Sequence, residues 1–356
     1  MIKSITIENF TVIGEKTTLK FAKGLNVVIG ENGVGKSHLL KLVYALVAVS
    51  HEASREKPNK EMFQKMVARK LMALFRPDAL GRLVHRAQGT KKCYIAIRFH
   101  RRAYDFDFEF STRSKTDVAI TKMPERFLDA SSIFIPTREM LSIYPGFTAL
   151  YRNREIEFDE SYFDLAQALD AKPLRGPRLT RLKPLLERFE TLMGGRIHVE
   201  NGRFYLEMPG RGKMEIQLVA EGIRKIAMLA YLIINGTVYD KSMLFWDEPE
   251  TNLNPRLIKE VAEALMNLAK NEIQVFIATH SLFLLRELEI LSMQKDFRDI
   301  KQRYFALGWD EERGVATLEQ GDDSDSIEPI VSLDESLMQS DRYLNMSIED
   351  QENADH

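Results

Sequence analysis

Residues 24–40, GLNVVIGENGVGKSHLL, decide the fold. The apolar run at residues 25–29 predicts a buried strand, and the apolar spacing after residue 37 predicts a helix. The turn between them fits the pattern G-x-x-x-x-G-K-S, formed by Gly30, Glu31, Asn32, Gly33, Val34, Gly35, Lys36 and Ser37. In this strand–loop–helix context the pattern predicts a phosphate-binding loop, because glycines let backbone N–H groups face phosphate oxygens at a helix N-terminus. Lys36 is predicted to reach the terminal phosphates, and Ser37 to ligate Mg²⁺.

A second stretch, MLFWDEPETNLNP at residues 243–255, places two carboxylates at the end of an apolar run. Taken alone, an acid–proline cluster after a strand is ordinary loop chemistry. Together with the phosphate-binding loop it predicts a hydrolytic site. Asp247 then supports Mg²⁺, directly or through water, and Glu248 polarises the attacking water.

The third element is IQVFIATHSLFLL, residues 273–285, which reads as a buried strand followed by Thr279, His280 and Ser281. A histidine in this position is either a structural residue or a sensor of the γ-phosphate. Ligands bind at the carboxyl ends of strands in doubly wound sheets, and the stretch follows the carboxylate strand by one helix. We therefore favour the sensor role for His280.

These three elements resemble the motifs of ABC-type ATPase heads. The opening IKSITIENFTVIGEKTTLKFAKGLNVVIGENGVGKS and the DEPE-x-x-L-x-P pattern resemble more specifically the SMC and OLD (overcoming lysogenization defect) branch. The resemblance implies an α/β P-loop NTPase fold with an antiparallel β subdomain and a helical lobe. It also implies ATP and Mg²⁺ as cofactors, a D-loop at residues 250–254 that includes the nucleotide contact Asn254, and His280 as the switch histidine.

The family's signature motif, Leu-Ser-Gly-Gly-Gln, has a divergent counterpart in LVAEGIRKIAMLAYLI, residues 218–233. Aligned on it, Ala220 takes the place of the serine, and Gly222 takes that of the second glycine. The serine hydroxyl is absent, but Gly222 still allows close backbone approach, and a helix is predicted to begin near Ile223. The resemblance implies that this segment contacts ATP bound to a second copy of the chain. The alternative is an ordinary glycine at a helix start.

The sequence is compatible with three functions. The first is an ATP-hydrolysing switch that oligomerises through composite ATP sites and controls a separate effector, a nuclease or toxin, in anti-phage defence. The second is a DNA-binding repair or chromosome-associated ATPase. The third is a regulatory module that binds ATP with little hydrolysis. A built-in nuclease is not expected, because the DDSD run at residues 322–325 lacks the flanking strands and the preceding catalytic glutamate that such a metal cluster would have.

Composition indicates the cellular compartment in which the protein is expected. Cys93 is the single cysteine, so no disulfide forms within the chain, and we expect a cytoplasmic location and a core position for its thiol. No apolar run approaches about 18 residues, so no membrane span is expected.

Charge is distributed unevenly along the chain. Residues 69–102, from Arg69 to Arg102, hold ten Lys or Arg and one acid, and they predict either a nucleic-acid surface or a solvated basic face. Residues 310–356 hold 15 acids and two arginines. This acidic tail solvates the chain, covers the basic face, or docks a partner or a second subunit.

The order of the motifs predicts the domain organisation. We expect an ATPase domain at residues 1–309, with a helical and β-hairpin insertion at about residues 50–215, and a closing hairpin and acidic tail at residues 310–356. After the strand in SSIFIPTREMLS, Arg138 or Glu139 is a candidate for the loop residue that links the lobes.

Overall fold

The structure is a computed structural model of the 356-residue chain. It describes residues 1–86, 88–239, 241–328, 330, 335–336, 338–343 and 346, apart from the side chains of residues 178, 179 and 181. The strands are β1 (Ile2–Glu8), β2 (Thr17–Lys20), β3 (Leu25–Gly30), β4 (Lys92–Phe99), β5 (Phe106–Ser111), β6 (Ala119–Lys122), β7 (Ser132–Ile135), β8 (Arg196–Glu200), β9 (Arg203–Met208), β10 (Gly212–Glu215), β11 (Met243–Asp247), β12 (Gln274–Thr279), β13 (Gln302–Asp310) and β14 (Val315–Gly321). The α-helices are α1 (Lys36–Glu56), α2 (Lys60–Phe75), α3 (Phe147–Arg152), α4 (Glu160–Leu169), α5 (Pro177–Met193), α6 (Glu221–Ile234), α7 (Pro255–Lys270) and α8 (Leu282–Met293).

The central sheet has six strands in the order β14-β13-β3-β12-β11-β7. Five of them are parallel, and β14 closes one edge as the antiparallel partner of β13. Strands β3, β11 and β12 are buried along their whole length, as expected for parallel strands with both faces covered. The carboxyl ends of β3, β11 and β12 therefore meet at one edge, where the predicted motifs lie.

The two faces of this sheet belong to two separate cores. Phe245 and Phe276 stack with their ring centroids 4.6 Å apart on the face that is covered by α1. Trp246 and Ile277 alternate with them and pack on the other face against α6, α7 and α8. This alternation follows from the two-residue period of a strand, so each apolar run supplies both cores.

A second sheet, in the order β2-β1-β4-β5-β6, is antiparallel and packs on the far side of α1. Residues 91–114 form a hairpin of β4 and β5, and Cys93 on β4 is fully buried, the core position expected for its thiol. Strands β8 and β9 form a second hairpin. Its turn, Asn201-Gly202, has φ values of 51° and 73°, the left-handed pair that a two-residue hairpin requires.

The predicted fold class is confirmed: a P-loop α/β domain with an antiparallel β subdomain and a helical lobe built from α3, α4 and α5. The closing hairpin, β13 and β14, forms two strands of the central sheet. The domain boundaries stay a prediction. Most of the acidic tail after Glu328 lies outside the described residues. Among those that are described, no helix combines the length and apolar character needed to cross a bilayer.

Candidate active site

The phosphate-binding loop connects β3 to α1 as predicted. Gly35 is the N-cap of α1 with φ of 97°, and a Cβ at this position would lie 2.4 Å from a methyl carbon of Val12. Both the backbone angle and the close approach therefore require glycine. Glu31, Asn32 and Gly33 are exposed at the outer side of the loop, whereas Val34 is buried.

Lys36 projects back across this loop. Its Nζ donates hydrogen bonds to the carbonyl oxygens of Gly30, at 2.8 Å, and Glu31, at 2.6 Å. Burial lowers the pKa of Lys36, and the nearby carboxylates Glu248 and Asp247 act in the opposite direction. The ammonium is therefore desolvated, and an anion next to it would be attracted more strongly than in water.

Ser37 and Asp247 come together from chain positions 210 residues apart. The Ser37 hydroxyl donates to Asp247 Oδ1 at 3.0 Å, because β11 delivers Asp247 to the edge where α1 begins. Burial raises the pKa of Asp247, and the hydrogen bond from Ser37 opposes this shift. A cation between the two oxygens would relieve the cost of burying the carboxylate.

These two oxygen donors fit Mg²⁺. A hard cation of this size takes oxygen ligands and binds through one or two protein groups, leaving other positions to phosphate and water. Among the described residues no cluster of three or more His, Cys, Asp or Glu side chains is arranged to hold a metal. A magnesium site of one hydroxyl and one carboxylate would therefore need the phosphates of a bound nucleotide to complete it.

Glu248 is held in an unusual backbone conformation at the end of β11. Its φ is 48°, which is uncommon for a residue with a side chain, and its N–H donates to the Ala278 carbonyl at 2.9 Å. Glu248 Oε2 accepts a hydrogen bond from the Thr251 hydroxyl at 3.1 Å, and Oε1 lies 3.4 Å from His280 Nδ1. The carboxylate thus lies beside the histidine, and the roles of the two residues as base and sensor stay predictions.

The signature segment differs in one detail from the prediction. Helix α6 begins at Glu221, two residues before the expected start near Ile223, because the extended Ala220 is its N-cap. The Ala220 side chain makes no capping hydrogen bond, so the first-turn N–H groups of α6 have no side-chain cap. A Cβ on Gly222 would lie 2.6 Å from a Leu253 methyl carbon, so glycine lets the D-loop pack against the helix.

The D-loop is fixed by contacts that the sequence did not reveal. Lys225 Nζ donates to the Thr251 carbonyl at 2.7 Å, and the Asn252 amide donates to Glu221 at 2.8 Å. Asn254 caps helix α7, accepting a hydrogen bond from the Leu257 N–H at 3.0 Å. A contact of Asn254 with nucleotide stays a prediction.

The segment after β7 contributes a buried ion pair instead of an exposed loop residue. Arg138 is exposed, whereas Glu139 is 5% exposed and accepts from Arg224 Nε at 2.7 Å. Arg224 also donates to the Val219 carbonyl at 2.7 Å, so the pair joins the β7 loop to α6. Positive charge near Gly222 was visible in the sequence, but its acidic partner lies 85 residues away in the chain.

Arg224→Ala is expected to lower the free energy of unfolding by about 3 kcal/mol, because it leaves Glu139 buried without its partner. Thermal and urea unfolding would measure the loss. Arg196→Ala, which removes an exposed ion pair with Glu190, is the control and should cost less than about 1 kcal/mol. Adding Glu139→Gln to the Arg224 variant should restore part of the stability. If both arginine variants lose the same stability, the pair does not join these segments.

Half of the cations in residues 69–102 are neutralised by carboxylates. The paired residues are Arg69, Lys70, Arg76, Lys92 and Arg98. Four of them lie on α2 or β4 and Arg76 directly follows α2, and their partners lie in α1, in α4, in the segment before α4 and in β5. A nucleic-acid partner stays a prediction.

Comparisons with known proteins agree with this fold. The family described as "AAA domain, putative AbiEii toxin, Type IV TA system" matches residues 107–286, and the one described as "AAA ATPase domain" matches residues 1–136. No curated protein matches the chain.

Three similar solved structures are SMC heads. The SMC head domain from Thermotoga maritima has a TM-score of 0.50 and 13% identity, covering 92% of this chain and 99% of its own. An SMC head bound to the C-terminal winged-helix domain of ScpA has a TM-score of 0.54 and 14% identity, with coverages of 90% and 97%. An SMC head bound to the C-terminal domain of ScpA derived from Pyrococcus furiosus has a TM-score of 0.54 and 12% identity, with coverages of 96% and 99%.

Together the fold and these matches define an SMC-like, ABC-type ATPase head. The chain belongs to the AAA-domain family whose description carries the AbiEii and type IV TA labels, since that match spans half of its length. The resemblance to ABC-type ATPase heads of the SMC type is thereby confirmed, whereas the resemblance to the OLD branch stays a prediction. Members of the AAA and SMC-head families are ATPases.

Proposed function

We propose that the protein is an ATP-driven molecular switch. It binds Mg²⁺ and ATP at the edge formed by Lys36, Ser37 and Asp247, and it hydrolyses ATP with Glu248 and His280. The observation that carries this proposal is the meeting of three distant motifs at the carboxyl ends of β3, β11 and β12. In particular, Ser37 lies 3.0 Å from Asp247, and Glu248 lies 3.4 Å from His280.

The chain's own residues divide the chemistry of hydrolysis between them. Lys36 and the loop N–H groups bind and orient the triphosphate, and Ser37 with Asp247 would hold Mg²⁺, which neutralises phosphate charge when bound. Glu248 accepts hydrogen bonds through a carboxylate and is placed to orient a water and take its proton. His280 contributes a donor on the side where charge develops on the terminal phosphate.

Two copies of the chain form the complete site in this proposal. Each nucleotide lies between the Lys36 loop of one copy and the Gly222 segment of the other. The N-terminus of α6 supports this arrangement, because the Ala220 side chain does not cap it and the N–H groups of a helix N-terminus suit a phosphate. Lys225 and Asn252 tie the same segment to the D-loop, so closure at one site alters the backbone beside the other.

The output of the switch is a separate effector, a nuclease or toxin, in defence against phage. The family description, with its toxin–antitoxin label, supports a system of two components. Two solved heads of similar fold are bound to a domain of ScpA, which supports the idea that such a head carries a second protein. A pull-down of the native complex with its nucleic acid retained, compared with Lys36→Ala, would identify the component held in the ATP-bound state.

The specific ATPase activity is expected to rise with protein concentration, because each complete site needs two copies. The activity per copy should increase with concentration until the dimer dominates and then stay level. Sizing columns run with and without ATP and Mg²⁺ should show the larger species only with both. An activity per copy that is constant over a hundredfold dilution, with one size throughout, would contradict composite sites. An absence of hydrolysis at any concentration would favour the regulatory module with little turnover.

A further inference from the structure

Glu250 is a buried carboxylate in the loop that follows β11. It lies two residues after Glu248 and is 6% exposed. Its Oε1 accepts hydrogen bonds from the Thr279 hydroxyl at 2.5 Å and from the His280 backbone N–H at 3.3 Å. Its Oε2 is shielded from solvent and has no hydrogen-bond partner among the described residues. One oxygen of Glu250 therefore makes both contacts to the end of β12.

These contacts join two adjacent strand ends of the central sheet. Asp247 of β11 is the register partner of Ala278 of β12, so the loops after the two strands leave the sheet side by side. Glu250 reaches from the first loop to the second and fixes the backbone at the residue that carries the imidazole. His280 Nδ1 then lies 3.4 Å from Glu248 Oε1 and 3.9 Å from Glu250 Oε1. The imidazole is thereby flanked by two carboxylates, and only Glu250 also holds its backbone.

The charge of Glu250 is kept at a cost to stability. Burial raises its pKa, and the hydrogen bond from Thr279 is the largest opposing influence. A carboxyl group whose pKa is higher in the folded state destabilises the fold as pH rises above its unfolded-state pKa. At neutral pH a neutral glutamine of the same shape would avoid this cost. Packing alone therefore does not account for a carboxylate here.

We propose that Glu250 is a positioning residue for ATP hydrolysis that acts through His280. It fixes the His280 backbone at the end of β12 and places negative charge beside the imidazole. The ring is thereby directed toward the terminal phosphate while Glu248 orients the water. This inference rests on the proposed function, in which His280 is the γ-phosphate sensor.

Glu250→Gln tests the charge while keeping an oxygen that accepts from Thr279 and His280. The kcat is expected to fall by roughly 10- to 100-fold, with KM and the Kd for ATP within about twofold of wild type. Glu250→Ala removes the acceptor as well and should lose more activity. Thr279→Val removes one donor but keeps the charge, so its kcat should fall less than that of Glu250→Gln.

A double-mutant cycle with His280→Ala separates positioning from general stability. If Glu250 acts through His280, adding Glu250→Gln to His280→Ala should change kcat by less than about twofold. The thermal midpoint of Glu250→Gln at neutral pH should be at least that of wild type, since the buried charge is removed. Wild-type kcat in Glu250→Gln would overturn the proposal. So would an equal loss in the presence and absence of His280.

Two variants distinguish a failure of the proposed function from a failure of the positioning role. If Glu248→Gln hydrolyses ATP at the wild-type rate, the proposed function is wrong. If Glu248→Gln is inactive while Glu250→Gln is fully active, the proposed function stands and the positioning role is overturned.

Discussion

Glu248→Gln is expected to bind ATP and Mg²⁺ as tightly as wild type and to hydrolyse ATP at least about 100-fold more slowly. The amide cannot take a proton from water, whereas its oxygen still accepts the hydrogen bond from Thr251. The strained backbone at residue 248, with φ of 48°, is set by the contact of its N–H with Ala278 and is unaffected by the change. Binding and chemistry should therefore separate in this variant.

Single-turnover hydrolysis and equilibrium binding, measured on the same preparation, would show this separation. Because hydrolysis is blocked after closure, sizing with ATP and Mg²⁺ should reveal a dimer that outlasts that of wild type. Glu56→Gln, an exposed change at the far end of α1, is the control and should behave as wild type. If Glu248→Gln turns over normally, Glu248 is not the base. If it is inactive without a longer-lived dimer, closure is not the step coupled to hydrolysis.

The positions of the main motifs were predictable because strand ends in a parallel sheet share an edge. Three apolar runs, each followed by polar residues, therefore predict that Lys36, Asp247 and His280 lie close together. The hairpin at Asn201-Gly202 was predictable for a local reason, since few residue pairs adopt two left-handed conformations in succession. Both inferences depend on short-range pattern and sheet topology alone.

The ion pairs and side-chain hydrogen bonds around the site could not be predicted in the same way. The sequence showed Arg224 and Glu139, but nothing local indicated that the two side chains would meet in the interior. Nor did it show that the Glu250 side chain would accept hydrogen bonds at the end of β12. Such pairs form between elements whose relative placement is decided by packing of the whole domain. The ion pairs made by half the cations of residues 69–102 were unpredictable for the same reason, because their acidic partners lie elsewhere in the chain.

Lys36→Ala is expected to weaken ATP binding by at least about 100-fold, or roughly 3 kcal/mol, because a desolvated triphosphate loses its nearest cation. Lys36 Nζ crosses the loop between the Gly30 and Glu31 carbonyls and opposes the charges of Asp247 and Glu248. Without it those carboxylates would face the phosphates directly. Both the loss of attraction and the gain of repulsion weaken binding, and both act on the terminal phosphates.

Comparing the affinity of Lys36→Ala for ATP with its affinity for AMP tests whether Lys36 contacts the terminal phosphates. AMP lacks the phosphates that Lys36 is predicted to reach, so its affinity should change by less than about fivefold. Arg55→Ala is the matched control: it removes an exposed cation from the last turn of the same helix, at the opposite end from the loop. It should leave ATP affinity within about fivefold of wild type.

The thermal midpoint of Lys36→Ala provides an independent test of this prediction. Burial lowers the pKa of Lys36, so the ammonium destabilises the fold wherever it is charged, and this includes neutral pH. Removing it should leave the thermal midpoint of the nucleotide-free protein unchanged or higher. The upward shift that ATP and Mg²⁺ produce in wild type should disappear, since a ligand stabilises only the state that it binds. Unchanged ATP affinity in Lys36→Ala would remove the basis for the phosphate-binding loop. An equal loss for ATP and AMP would mean instead that the lysine supports the loop and does not contact the terminal phosphates.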